Sequence, residues 1–77
     1  MKIQDLKQGD TIFKISGFDI LSYKYFCVLP GNNNYHILID NFERPFRMYN
    51  EELQNMLNLE LKTYDDAAKV LIDKFQQ

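Results

Sequence analysis

Leu61-Lys62-Thr63-Tyr64-Asp65-Asp66-Ala67-Ala68-Lys69-Val70-Leu71-Ile72-Asp73-Lys74-Phe75 is the stretch that decides how the rest of this chain must be arranged. Thr63 is placed to cap a helix, and Asp66, three residues on, completes a capping box. Tyr64, Ala67, Ala68, Leu71, Ile72 and Phe75 then recur at i, i+3, i+4, i+7, i+8 and i+11, the spacing of one apolar stripe on an amphipathic helix. Such a stripe needs an apolar partner, and everything upstream reads as short strands. The expectation is a C-terminal helix over 63–76 acting as the lid of a small β domain.

Outward from the helix, the strands come in order. Gly9-Asp10 is a turn, and Thr11 to Ser16 carries β-branched and aromatic residues, with Phe13 and Ile15 expected inward. Gly17 offers a turn position, and a long strand follows from about Ile20 to Leu29. Its odd positions Leu21, Tyr23, Tyr25, Cys27 and Leu29 form the apolar phase. Pro30-Gly31 suits the centre of a type II turn, and the three asparagines from Asn32 to Asn34 lead into Tyr35–Asp40. Asn41 to Arg44 turn the chain again, and Pro45 opens a fourth strand to Tyr49. Asn50 then caps a short helix over 50–58 through Leu53, Met56 and Leu57, with Glu51 and Glu52 at its positive end. Leu59-Glu60-Leu61 is expected as a last short strand.

A single α+β domain over 1–77 follows, with a β meander over 10–49. Four or five strands in meander order predict a small, strongly bent antiparallel sheet or an SH3-like barrel, carrying the short helix and the C-terminal amphipathic helix. Leu6-Lys7-Gln8-Gly9-Asp10-Thr11-Ile12 and Thr63-Tyr64-Asp65-Asp66-Ala67 resemble the two ends of small, mostly uncharacterised phage and mobile-element proteins. In those proteins an SH3-like barrel precedes a helix opening T-x-E-E-A. Here Asp65 and Asp66 stand for the usual glutamates, and a short helix precedes the last one. The shared motifs are a turn, a cap and a stripe, so the resemblance implies a fold and an accessory role, with little chemistry.

Composition narrows the function. At 77 residues and with 45% hydrophobic, 26% charged and 14% aromatic residues, the chain reads as globular, and nearly every large apolar side chain is needed for a core. No apolar run approaches a membrane span, and Met1-Lys2-Ile3-Gln4-Asp5 lacks the apolar centre of a signal peptide, so a cytoplasmic location is expected, or the host cytoplasm for a phage-encoded chain. The single Cys27 excludes an internal disulfide, fits a reducing compartment and is expected in the core. Net charge is -2 but uneven: residues 1–49 hold six Lys/Arg against five acids, residues 50–77 three against six. A weakly acidic chain disfavours nucleic acid as partner.

Catalytic constellations are sparse. His36 is the sole histidine, and Asp40 on its strand lies about 13 Å away, four residues along, too far for one metal or a base and its orienting acid. A surface or cross-strand role is expected for it. The acid pairs Glu51-Glu52 and Asp65-Asp66 fall in first helical turns, where the dipole favours them. Phosphate loops, C-x-x-C and nucleophile elbows are missing, so no cofactor is expected and an enzyme is the least supported class. The stretch Asn41 to Tyr49 stands out instead, with two arginines and three aromatics around a turn. With Phe46 and Met48 inward, Arg47 and Tyr49 face solvent while Phe42 and Arg44 sit at the tip. Exposed Arg, Tyr and Phe together are what protein interfaces and base-stacking surfaces use. The expected function is therefore non-enzymatic binding of a host or self protein, inhibitory or self-associating. Its candidate residues are Phe42, Arg44, Arg47, Tyr49 and Lys24. The alternative is nucleotide or nucleic-acid binding through Lys24, Arg44, Arg47 and the aromatic strand face.

Overall fold

The computed structural model describes residues 1 to 76. A 3₁₀ turn (Ile3–Asp5) precedes strands β1 (Thr11–Ser16), β2 (Asp19–Val28), β3 (Tyr35–Asp40) and β4 (Pro45–Tyr49), then helices α1 (Asn50–Asn58) and α2 (Tyr64–Phe75). The strands form one antiparallel sheet in the order β1-β2-β3-β4, each paired with its chain neighbour. Among the described residues β1 and β4 do not pair, so the sheet stays open and the expected barrel closure is not made. Residues 59–61 do not form the expected fifth strand either. Leu59 ends α1 in right-handed helical geometry and Glu60 follows at φ 53°, a left-handed stop that turns the backbone out of any strand.

Local chemistry accounts for the connections. Gly17 and Phe18 make a two-residue hairpin turn between Ser16 and Asp19, and the φ of 60° at Gly17 is the type II′ geometry that matches strand twist. At Leu29 to Asn32, Asn32 N–H donates to Leu29 O across Pro30-Gly31, and Gly31 takes the positive φ of 83° that a type II turn requires. The β3–β4 hairpin is held by Asp40, whose Oδ1 accepts the amides of Phe42 and Arg44, both at 2.9 Å.

Cross-strand partners share a face, so the register separates the sheet into two sides. Ile12, Tyr23, Tyr25, His36, Leu38 and Met48 fall on one, and α1 covers it with Leu53, Met56 and Leu57. Leu38, Met48 and Leu53 are fully buried at its centre. The β1 phase is thus opposite to expectation: Ile12 is buried, whereas Phe13 and Ile15 lie on the reverse side and are half-buried. Cys27 is displaced for a different reason. A bulge at Phe26 sets Phe26 and Cys27 against the single residue Ile37, which moves Cys27 to the reverse face and out of the core.

The two helices dock unequally. Thr63 caps α2 as expected, its Oγ1 accepting from Asp66 N at 3.2 Å while Asp66 Oδ2 accepts from Thr63 N. Yet of the apolar stripe only Ala67 is fully buried; Tyr64, Ile72 and Phe75 remain exposed. The expected lid is therefore a partial one. α2 lies along β1 and β2, and Phe75 reaches only the hairpin tip, stacking on Phe18 at 4.9 Å.

Candidate functional site

Hairpin geometry builds the first group of site residues. Because the Asp40–Arg44 turn sets Ile39 opposite Pro45, Ile37 falls opposite Arg47 and Tyr35 opposite Tyr49, all on the reverse face. Lys24 shares that face through its pairing with Ile39. Three of the expected residues, Lys24, Arg47 and Tyr49, are in this way brought to one side of the sheet and left exposed. Neither helix covers this part, since α1 packs on the other face and α2 lies along β1 and β2.

The cluster has internal order. Tyr35 and Tyr49 meet edge to face with ring centres 5.3 Å apart. Arg47 places its guanidinium over Tyr35, 4.9 Å from the ring centre, so its cation is held beside the sheet by aromatic contact. Among the described residues neither Arg47 nor Lys24 has a carboxylate partner. One strand, β3, lies between them, so they stand two strand spacings or about 10 Å apart across the sheet. The surface between is apolar, formed by Ile37, Ile39 and the half-buried Cys27. Tyr35 joins the cluster although it is not among the expected residues. The signal for it lies in hairpin arithmetic, because a four-residue turn between Asp40 and Pro45 places Tyr35 directly across from Tyr49.

Phe42 and Arg44 belong to a separate place. Both are exposed at the hairpin tip, where Arg44 lies 5.1 Å over the Phe42 ring and donates from Nε to Asp40 Oδ2 at 3.2 Å. The Arg44 amide, with the Phe42 amide and the guanidinium, holds the Asp40 carboxyl below its ordinary value of 3.8. Arg44 is consequently committed to its own turn. Phe46 lines the margin of the core against Tyr23 at 5.4 Å, and Met48 is buried, so the alternation along β4 points Arg47 and Tyr49 outward.

On the covered face, His36 is not at the surface: it is 2% exposed and joins two elements. Its Nδ1 lies 3.0 Å from the Tyr25 hydroxyl, and its Nε2 faces Asn50 Oδ1. Asn50 Nδ2 donates onward to Asn33 O at 3.4 Å, which fixes the amide orientation and makes Nε2 the donor. Nδ1 is therefore the acceptor, and Tyr25, whose pKa is raised by burial and then by the nearby Cys27, keeps its proton to donate. Asn50 performs this role rather than capping α1, whose N-cap residue is Tyr49. An open cleft of about 870 Å³ lies beside the ring, between the 3₁₀ turn and the start of α1. Both imidazole nitrogens are already engaged, so the ring presents no free base to the cleft. Among the described residues no three His, Cys, Asp or Glu side chains converge as metal ligands, and no helix is long and apolar enough to cross a membrane.

The chain matches no protein-family model, no curated protein and no solved structure.

Proposed function

We propose that this chain is a non-enzymatic interaction module that binds an acidic surface of a partner protein through Tyr35, Arg47, Tyr49 and Lys24. The observation that carries the reading is Arg47, an exposed cation held over the Tyr35 ring with no acidic partner among the described residues. Arg and Tyr dominate the energetics of protein interfaces because rigid rings and a planar fork lose little entropy on docking. The half-buried Ile37 and Ile39 beside them supply apolar area that a partner would remove from water. The resemblance to phage and mobile-element proteins directs the reading toward an accessory role. In that role the chain inhibits a host or self protein by occupying its surface.

The test is capture of partners by wild-type protein compared with Arg47→Glu and Tyr49→Ala, each first shown to have the wild-type circular dichroism spectrum. Both substitutions are expected to abolish the capture of a common partner, because both side chains are exposed and outside the core. Equal capture by Arg47→Glu and the wild type would remove the reading.

A second reading is favoured by the same two tyrosines, whose rings offer a stacking platform with Lys24 and Arg47 beside it for phosphates. It predicts binding of a single-stranded oligonucleotide that weakens steeply with salt. Unchanged fluorescence anisotropy of a labelled oligonucleotide at low salt would exclude it.

A further inference from the structure

We infer that the chain forms a homodimer through the outer face of α2, packed antiparallel against α2 of a second copy. The starting observation is an apolar stripe left uncovered by the described residues. Tyr64, Ala68, Ile72 and Phe75 follow at i, i+4, i+8 and i+11 and so share one side of the helix. Ala68 is half-buried at the edge of this stripe, and the adjoining side is the one that docks, where Ala67 is buried and Val70 and Leu71 are half-buried. Tyr64, Ile72 and Phe75 are 60%, 52% and 59% exposed. Phe18 on the β1–β2 hairpin, 75% exposed and stacked on Phe75, extends the stripe beyond the helix end.

The chain exposes 5640 Å², more than the roughly 4,900 Å² expected for a folded chain of 9.2 kDa, and Phe18, Tyr64, Ile72 and Phe75 are the exposed large side chains that α2 and the β1–β2 hairpin contribute to that surface. Orientation follows from the side chains along the stripe. With the twofold axis at Ala68, the smallest residue of the stripe, the helices approach closely and Tyr64 of each copy packs against Ile72 of the other. Asp65 and Lys69, one turn apart on the solvent side of the stripe, then come within reach of Lys69 and Asp65 of the second copy. An antiparallel pair also sets opposite helix dipoles side by side. A membrane surface suits the stripe less well, because its solvent flank of Asp65, Lys69 and Asp73 is net negative where an anionic bilayer selects Lys or Arg.

Sedimentation equilibrium across a micromolar concentration series tests the proposal. Wild-type protein is expected to reach twice the chain mass. Ile72→Glu puts a charge at the Tyr64 contact and is expected to weaken association by about tenfold or more. Asp65→Lys is expected to weaken association, and the double exchange Asp65→Lys with Lys69→Asp to restore it, an outcome that a merely misfolded helix would not produce. Arg47→Glu is expected to dimerise as the wild type does, which separates this surface from the sheet corner proposed for an acidic partner. A monomeric wild type throughout the series would overturn the proposal. So would an Ile72→Glu protein that dimerises normally, or dissociation caused by Arg47→Glu and not by Ile72→Glu.

Discussion

α1 and α2 are both amphipathic, yet they contribute to the molecule in opposite ways. α1 has no side-chain cap bond, begins where β4 ends, and buries Leu53, Met56 and Leu57 against the sheet. α2 has the complete capping box and the longer stripe, and buries only Ala67. Quality of local signals and depth of docking are therefore separate properties. A cap satisfies amides within one turn and acts wherever the helix lies, whereas docking depends on which surface the preceding chain leaves within reach.

The largest expected effect that would break this contrast is at Leu53. Leu53→Ala opens a cavity under the sheet and is expected to cost about 2–5 kcal/mol, comparable with the whole stability of so small a core. Ile72→Ala on α2, measured by urea denaturation at a concentration too low for dimers, is expected to stay within about 0.5 kcal/mol. Similar losses at the two positions would mean that the helices are equally docked. A medium effect is expected at the α2 cap. Thr63→Ala removes the acceptor for the Asp66 amide and costs about 1 kcal/mol. Because α2 is lightly held, hydrogen exchange should show that loss as faster exchange of α2 amides, with protection in β2 and β3 unchanged. Uniform loss of protection across sheet and helix would show that α2 unfolds only with the rest.

The smallest effect concerns the hairpin that presents β4. Asp40 has a lowered pKa in the folded chain, so it stabilises the hairpin at pH above the ordinary carboxylate value of 3.8. That contribution disappears as pH falls through the lower folded value. Asp40→Asn is accordingly expected to lower the urea midpoint slightly at neutral pH and to flatten its decline toward acid. An unchanged acid limb in Asp40→Asn would mean that Asp40 makes no contribution there.

Part of the fold and of the candidate site is legible in the amino acids alone. The Thr63 cap, the Pro30-Gly31 turn and the start of β4 at Pro45 depend on residues within three or four positions, and each stands where its residues indicate. The outward direction of Arg47 and Tyr49 follows from strand alternation. Other features depend on distant partners. The phase of β1 is ambiguous between Ile12 and Phe13, because both sides of that strand carry large apolar residues. Cys27 is moved to the reverse face by a bulge that leaves no mark on the alternation of β2. Arg44 and Arg47 look alike in the sequence, and only the folded hairpin ties one to Asp40 and leaves the other over Tyr35.

The four strands, the two helices, their meander order and the outward residues of β4 are written in the chain, since turns, caps and alternation are short-range consequences of backbone sterics and hydrogen bonding. Three further features arise only when the elements pack. The sheet stays open, His36 is buried between Tyr25 and Asn50, and α2 docks by Ala67 while Tyr64, Ile72 and Phe75 remain free. The physical reason is that apolar burial has no direction of its own. A stripe states that it must be covered, and the surface that covers it is set by where the rest of the chain, or a second chain, comes to lie.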